Sequence, residues 1–176
     1  MPFELLDLGR ARIVPFANRH LGQRYVGWLN DPAVVRYSEQ RHRRHDFASC
    51  EAYFRSIRAS GNLFLAIEAK DPAIGHCGNM TASFDPPNRT CDLSIMVGEA
   101  AARGTGIGSM AWCAMVDWLL GPGGQRRVTA GTMAENRAML ALMAKSGMTV
   151  DAVRPRAFLV DSHEIDLIMA VRFATP

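Results

Sequence analysis

Residues 91–132 constrain the fold more than any other part of this 176-residue chain. A strand-like run over residues 90–97 leads into a loop with glycines at 104, 106 and 108. A helical segment follows over residues 107–120, with Ile107, Met110, Ala111, Ala114 and Trp118 on one face, until Gly121-Pro122-Gly123-Gly124 stops it. A second strand-like run occupies 128–132. Two strands joined by a helix must lie parallel, because a hairpin turn cannot make that connection. Ahead of this unit, runs at 63–68 and 75–84 are separated by Lys70-Asp71-Pro72, and Asp85-Pro86-Pro87-Asn88 leads on to 90–97. Connections that short make the three strands antiparallel neighbours. The expected architecture is α/β (mixed α+β): a central, mostly antiparallel sheet of six to seven strands with one parallel pair and helices on both faces.

The remaining elements fit around that frame. Residues 11–16 read as a short strand and 19–29 as a helix carrying Leu21, Tyr25, Trp28 and Leu29 at helical spacing, ended by Asn30-Asp31-Pro32. Asp46 offers an N-cap to a helix at 47–59. A helix at 135–146 ends at Gly147 as a left-handed cap. Strands are expected near 148–154 and at 166–173. No linker or repeat divides residues 1–176, so one domain is expected, and with 48% hydrophobic residues it can bury roughly two-thirds of its unfolded surface. That composition excludes disorder. A net charge of +3 falls short of the basic stripe of a dedicated nucleic-acid binder, so no nucleic-acid partner is expected. No run approaches the ~20 apolar residues of a membrane span, and no signal peptide is evident; a cytoplasmic protein without a membrane partner is expected. Cys50, Cys77, Cys91 and Cys113 have no paired spacing and are expected to be reduced, buried thiols rather than metal ligands.

Chemistry is concentrated in Arg103-Gly104-Thr105-Gly106-Ile107-Gly108. Alternating glycines before an amphipathic helix leave backbone amides free and allow close approach, which suits a phosphate or pyrophosphate. The plainer reading is a flexible glycine turn that reverses the chain. An NTPase loop is removed, because no lysine lies between Lys70 and Lys145. A dinucleotide fingerprint can be forced onto Gly106, Gly108 and Ala111, but the loop starts several residues after the strand, and 126–132 lacks the expected acid.

The same loop resembles the R/Q-x-x-G-x-G/A pyrophosphate loop of the GNAT acetyltransferases. Two further blocks carry the resemblance. Ala134-Glu135-Asn136 followed by Leu142, Lys145, Ser146, Gly147 and Met148 is similar to the family's Asn-led helix ending in K-x-G-F. Trp28-Leu29-Asn30-Asp31-Pro32 with Val34, Arg36 and Tyr37 is similar to the opening of the branch that acetylates ribosomal-protein alanines, polyamines and nucleotide-linked amino sugars. The resemblance implies a GNAT-like fold whose parallel pair splays apart around acetyl-coenzyme A. It further implies that backbone groups of Ile95, Met96 and Val97 bond the pantetheine and polarise the thioester, and that amides of Arg103, Gly104, Thr105, Gly106, Ile107 and Gly108 take the pyrophosphate. Asn136 is either a pantetheine contact, by analogy, or a helix N-cap. No metal is implied.

The implied reaction is attack of an amine on a thioester. The ammonium form must first lose a proton, and the thiolate must be stabilised as it leaves. Asp92 occupies the position where relatives often have Glu and is the candidate base; otherwise it is an ordinary acid on a solvent-facing strand. Many relatives have a Tyr acid seven residues after the Asn, but here that residue is Met143, and a Ser often found three residues after the Asn is Met139. Tyr37 and Ser38 are the replacement candidates. Residues 37–45, Y-S-E-Q-R-H-R-R-H, border the acceptor pocket in the resembled branch. Glu39 suits a cationic amine, whereas Arg41, Arg43 and Arg44 suit a phosphate or carboxylate; a solvated charged loop is the bland alternative. His42 and His45 lack a third metal ligand. The implied partner is a small-molecule amine, with a nucleotide-linked amino sugar favoured, a protein N-terminus as the alternative, and an inactive acyl-coenzyme A sensor as a reading of another class. A homodimer through the late strands is open.

Overall fold

The computed structural model describes residues 3–175. Among them, β1 (Leu6–Asp7), β2 (Ala11–Pro15), β3 (Leu63–Ala69), β4 (His76–Asp85), β5 (Thr90–Val97), β6 (Arg127–Met133), β7 (Thr149–Val160) and β8 (His163–Phe173) form one sheet in the order β1-β2-β3-β4-β5-β6-β8-β7. The helices are α1 (Gln23–Leu29), α2 (Pro32–Val35), α3 (Phe47–Ala59), α4 (Ile107–Leu120) and α5 (Arg137–Lys145), with 3-10 turns at Asn18–His20, Glu39–His42 and Ala100–Ala102. The pair β5–β6 is parallel, as the strand-helix-strand pattern requires, and the pairs β1–β2, β2–β3, β3–β4, β6–β8 and β7–β8 are antiparallel. This is the expected mixed α/β sheet. It carries one strand beyond the expected six to seven, the two-residue β1, which is too short to show a period.

Two elements differ from the expectation for a physical reason. The helix expected over residues 19–29 is broken, because Leu21 and Gly22 are extended; Gly22 instead caps α1, its carbonyl accepting from the Val26 amide at 3.1 Å. The β7–β8 hairpin runs much longer than expected because Asp161 and Ser162 turn it with positive φ of 47° and 67°, without the Asn-Gly or Asp-Gly signal that normally marks such a turn.

Contacts gather the chain into two compact units, residues 3–83 with 95–111 and residues 84–94 with 112–175. In the first, Val14, Phe16, Leu21, Tyr25, Trp28, Phe54 and Phe64 form an aromatic-rich core in which the Phe16 and Phe64 rings stack with centroids 4.3 Å apart. This core contains an ionic cluster. Buried His20 accepts the Ala17 amide at Nδ1, which leaves Nε2 to donate to Glu68 at 2.7 Å, and Arg12 reaches the other Glu68 oxygen at 2.6 Å. In the second unit, Trp112, Met115, Val116 and Leu119 of α4 are fully buried, as are Val128 and Ala130 of β6. The Trp112 indole is satisfied by Ser146 Oγ at 2.9 Å. Cys50, Cys77 and Cys91 are buried and Cys113 is half-buried. No helix among the described residues is long and apolar enough to cross a membrane.

Candidate active site

The glycine loop is built by close approaches that only glycine permits. A Cβ on Gly98, just after β5, would sit 2.0 Å from the Trp28 ring, and one on Gly108 would sit 2.9 Å from Val97 Cγ2. Trp28 therefore packs on bare backbone at one end of the loop, and α4 closes on the end of β5 at the other. Within the loop, Gly104 and Gly106 adopt positive φ of 76° and 86°. Thr105 Oγ1 donates to the Ala102 carbonyl at 2.7 Å, and Arg103, although exposed, folds back so that Nη2 donates to the Gly98 carbonyl at 2.9 Å. Arg103 thus pins the loop rather than extending freely into water.

The first helical bond of α4 runs from the Met110 amide to the Gly106 carbonyl at 3.0 Å, so the amides before it lie ahead of the helical ladder. Ser109 Oγ, buried beside them, has no hydrogen-bond partner among the described residues. Open space surrounds Gly104, and only the Arg10 guanidinium comes within 4 Å of a Cβ built on Gly106, at 3.6 Å. The Arg103 and Thr105 amides are spent on the Ala100 and Ala102 carbonyls at 3.1 and 3.4 Å, and the Ile107 amide on Thr105 Oγ1 at 3.4 Å, which leaves the amides of Gly104, Gly106 and Gly108 as the loop's donors for an anion, beside a positive helix end. Sequence reasoning assigned Arg10 no role. It lies in the turn between β1 and β2, 95 residues from its loop partner, and Nη2 donates to the Thr105 carbonyl at 2.8 Å.

Ile95, Met96 and Val97 are half-buried at the end of β5, in the same unit as the loop. Asp92, earlier on β5, is the last residue in parallel register with β6, opposite Thr129, whose Oγ1 donates to Asp92 Oδ2 at 2.9 Å. The Asp92 carboxyl is exposed, yet enough protein surrounds it that desolvation raises its pKa above the usual carboxylate value, against the Thr129 hydrogen bond. Asn136 is the N-cap of α5: Oδ1 accepts from the Met139 amide at 3.2 Å and Nδ2 donates to Thr132 Oγ1 at 3.0 Å. Met139 and Met143 are buried, so the positions where relatives carry hydroxyls hold core side chains.

The segment expected to meet the acceptor is ordered. Ser38 caps the 3-10 turn by accepting from the Gln40 amide at 3.2 Å, and Asn30 clamps its far end by a pair of bonds with the His45 backbone at 2.8 and 2.9 Å. Asn30 ends α1, the helix that carries Trp28 to Gly98. Tyr37 is half-buried, with the Arg36 guanidinium 5.2 Å from its ring centroid. Glu39 and Arg41, expected to attract ligands of opposite charge, bond each other at 2.7 Å. Arg43 and Arg44 are exposed, with no ion pair among the described residues. No group of three metal-ligating side chains occurs among the described residues, and His42 and His45 stay apart from any such cluster.

Sequence reasoning also missed the buried polar group under Trp28. His76, whose ring centroid is 4.9 Å from that of Trp28, bonds Asn79 Oδ1 at 2.8 Å, and the buried Asn79 Nδ2 has no partner among the described residues. Its signal was Glu68 within the otherwise apolar β3, with His76 and Asn79 in the first half of β4.

Comparison with known proteins fits this geometry. Residues 10–149 match the family model described as the acetyltransferase (GNAT) domain. The chain therefore belongs to the GNAT acetyltransferases, enzymes that transfer an acetyl group from acetyl-coenzyme A to an amine. No curated protein matches it at the sequence level. Among solved structures it is similar to an N-acetyltransferase from Staphylococcus aureus Mu50, with 21% identity and a TM-score of 0.79 over 94% of this chain and 99% of that one. It is also similar to the ribosomal L7/L12 α-N-protein acetyltransferase in complex with coenzyme A, with 13% identity and a TM-score of 0.83 over 97% and 98%. A third is the microcin C7 self-immunity acetyltransferase in complex with acetyl-coenzyme A and AMP, with 15% identity and a TM-score of 0.78 over 94% and 93%.

Proposed function

We propose that this enzyme acetylates the primary amine of a small molecule that also carries an anionic group, a nucleotide-linked amino sugar being the favoured class. The observation that carries the reading is the charge of the acceptor segment. Pairing cancels Glu39 against Arg41, which leaves the exposed guanidiniums of Arg43 and Arg44 as its net field. Such a field attracts phosphate and repels a polycation. The similar microcin immunity enzyme, in complex with AMP, supports a nucleotide-bearing acceptor. The reading in which the acceptor is a protein N-terminus rests on the likeness to the ribosomal-protein enzyme.

In this reading the backbone of Ile95, Met96 and Val97 holds the thioester arm, and within residues 103–108 the amides of Gly104, Gly106 and Gly108, which are not bonded inside the loop, hold the pyrophosphate. The amine nitrogen attacks the thioester carbon, an N–C bond forms, and the C–S bond breaks. Asp92 takes the ammonium proton. Three residues along the strand separate Asp92 from Ile95, about 10 Å, so the proton reaches the carboxylate through water. With Met143 buried where relatives have Tyr, the leaving thiolate takes its proton from water or from Tyr37 of the acceptor segment. Coenzyme A release with acetyl-coenzyme A and three amine classes tests the proposal. Turnover with a nucleotide-linked amino sugar supports it; turnover confined to peptides or to spermidine refutes it. Coenzyme A binding with no turnover on any amine would make the chain a sensor.

A further inference from the structure

We propose that Arg10 is a positioning residue for coenzyme A, fixing the Gly106 amide so that its N–H faces the pyrophosphate. The inference rests on the reading of residues 103–108 as the phosphate loop and adds a residue from a distant turn to it.

The geometry is specific. Arg10 Nη2 donates to the Thr105 carbonyl at 2.8 Å. That carbonyl and the Gly106 N–H belong to one peptide unit, and in a planar trans peptide they point in opposite directions. A guanidinium fastened to the oxygen therefore stands behind the peptide and turns the N–H toward the other side. The bond is charge-assisted, so it also polarises the peptide and makes the N–H a stronger donor.

The loop needs such a clamp. Gly104 and Gly106 both sit at positive φ, and neither has a side chain to hold its peptide in one orientation. An unclamped glycine loop loses that freedom on binding, which weakens affinity. Arg10 removes part of this cost before the ligand arrives. Its charge is not cancelled, because it has no ion pair among the described residues, and Nη2 otherwise lies only against Met110 Sδ at 3.9 Å. The uncompensated cation adds attraction for a doubly charged pyrophosphate. The bond lies at the exposed surface, where such contacts contribute little to stability, so its effect falls on the ligand rather than on the fold.

Calorimetric titration of the full chain with coenzyme A, dephospho-coenzyme A and pantetheine tests the assignment. Arg10→Met should weaken coenzyme A and dephospho-coenzyme A equally, by about tenfold, the effect of one charge-assisted hydrogen bond. Pantetheine, which has no phosphate, should bind as it does to the parent chain. Arg10→Lys should recover most of the loss, since an ammonium can still donate to the Thr105 carbonyl. An unchanged coenzyme A affinity, an equal loss for pantetheine, or a loss confined to coenzyme A and absent with dephospho-coenzyme A would each overturn the role. Gly106→Val separates this from the loop reading. If it leaves coenzyme A binding intact, the loop reading fails; if it weakens binding and Arg10→Met does not, only the role of Arg10 fails.

Discussion

At the scale of single residues, the account depends on Asp92 and Gly98. Desolvation raises the Asp92 pKa against the Thr129 hydrogen bond, so its carboxylate is a better proton acceptor than an ordinary surface acid. A base must be deprotonated to act, so the rate should fall as pH drops through that raised pKa. Asp92→Asn should lower kcat by roughly 100-fold and remove this acid limb from the pH profile; an unchanged rate and profile would remove the base assignment. Gly98 matters through shape alone. A methyl there would meet the Trp28 ring at 2.0 Å, so Gly98→Ala should cost about 1–3 kcal/mol in denaturant unfolding. Trp28 and Gly98 were both visible in the sequence, but their contact was not, since 70 residues separate them and no local pattern reports a tertiary approach.

At the scale of elements, Asn136 separates two roles by experiment. Its cap on α5 uses Oδ1, an atom that Asp can supply, whereas the bond to Thr132 uses the amide N–H. Asn136→Ala should destabilise the fold by about 1 kcal/mol and Asn136→Asp should recover the cap. If Asn136→Asp keeps the melting temperature yet loses coenzyme A affinity, the amide contacts the cofactor through its remaining N–H; if affinity is also kept, Asn136 is a cap alone. The elements near the site were legible because their signals are local. Asp46 before α3, the glycines before α4 and the Gly-Pro-Gly-Gly stop after it each act within one turn of chain. The missed features depend on partners elsewhere. Arg10 finds Thr105 across 95 residues.

At the scale of the whole molecule, the buried polar group ties stability to pH. Burial opposes ionisation of Glu68, but hydrogen bonds from His20 and Arg12 and their charges outweigh it and hold the carboxyl at about 2. Burial lowers His76 to about 4 despite its bond to Asn79, and it lowers His20 as well, against Glu68. The unfolded chain binds protons on these groups at higher pH than the folded chain does, so all three act in the same direction. Stability should fall below about pH 6.5 as the unfolded histidines take up protons, and fall further below about 4.5 as unfolded carboxylates do. Denaturant midpoints between pH 8 and pH 3 check this; Glu68→Gln, which removes the carboxylate, should flatten the segment below pH 4.5. The small excess of basic residues noted in the composition is also local, with Arg10 against the glycine loop and Arg43 and Arg44 exposed in the segment proposed to meet the acceptor. That distribution leads to the most direct measurement, the rate of coenzyme A release from acetyl-coenzyme A with a nucleotide-linked amino sugar as acceptor. The account predicts acetylated amine and free coenzyme A in equal amounts, at a rate that Arg43→Glu with Arg44→Glu lowers mainly by raising KM for the acceptor. Equal rates for the parent and the doubly substituted chain, or turnover only with amines that carry no anionic group, would contradict it.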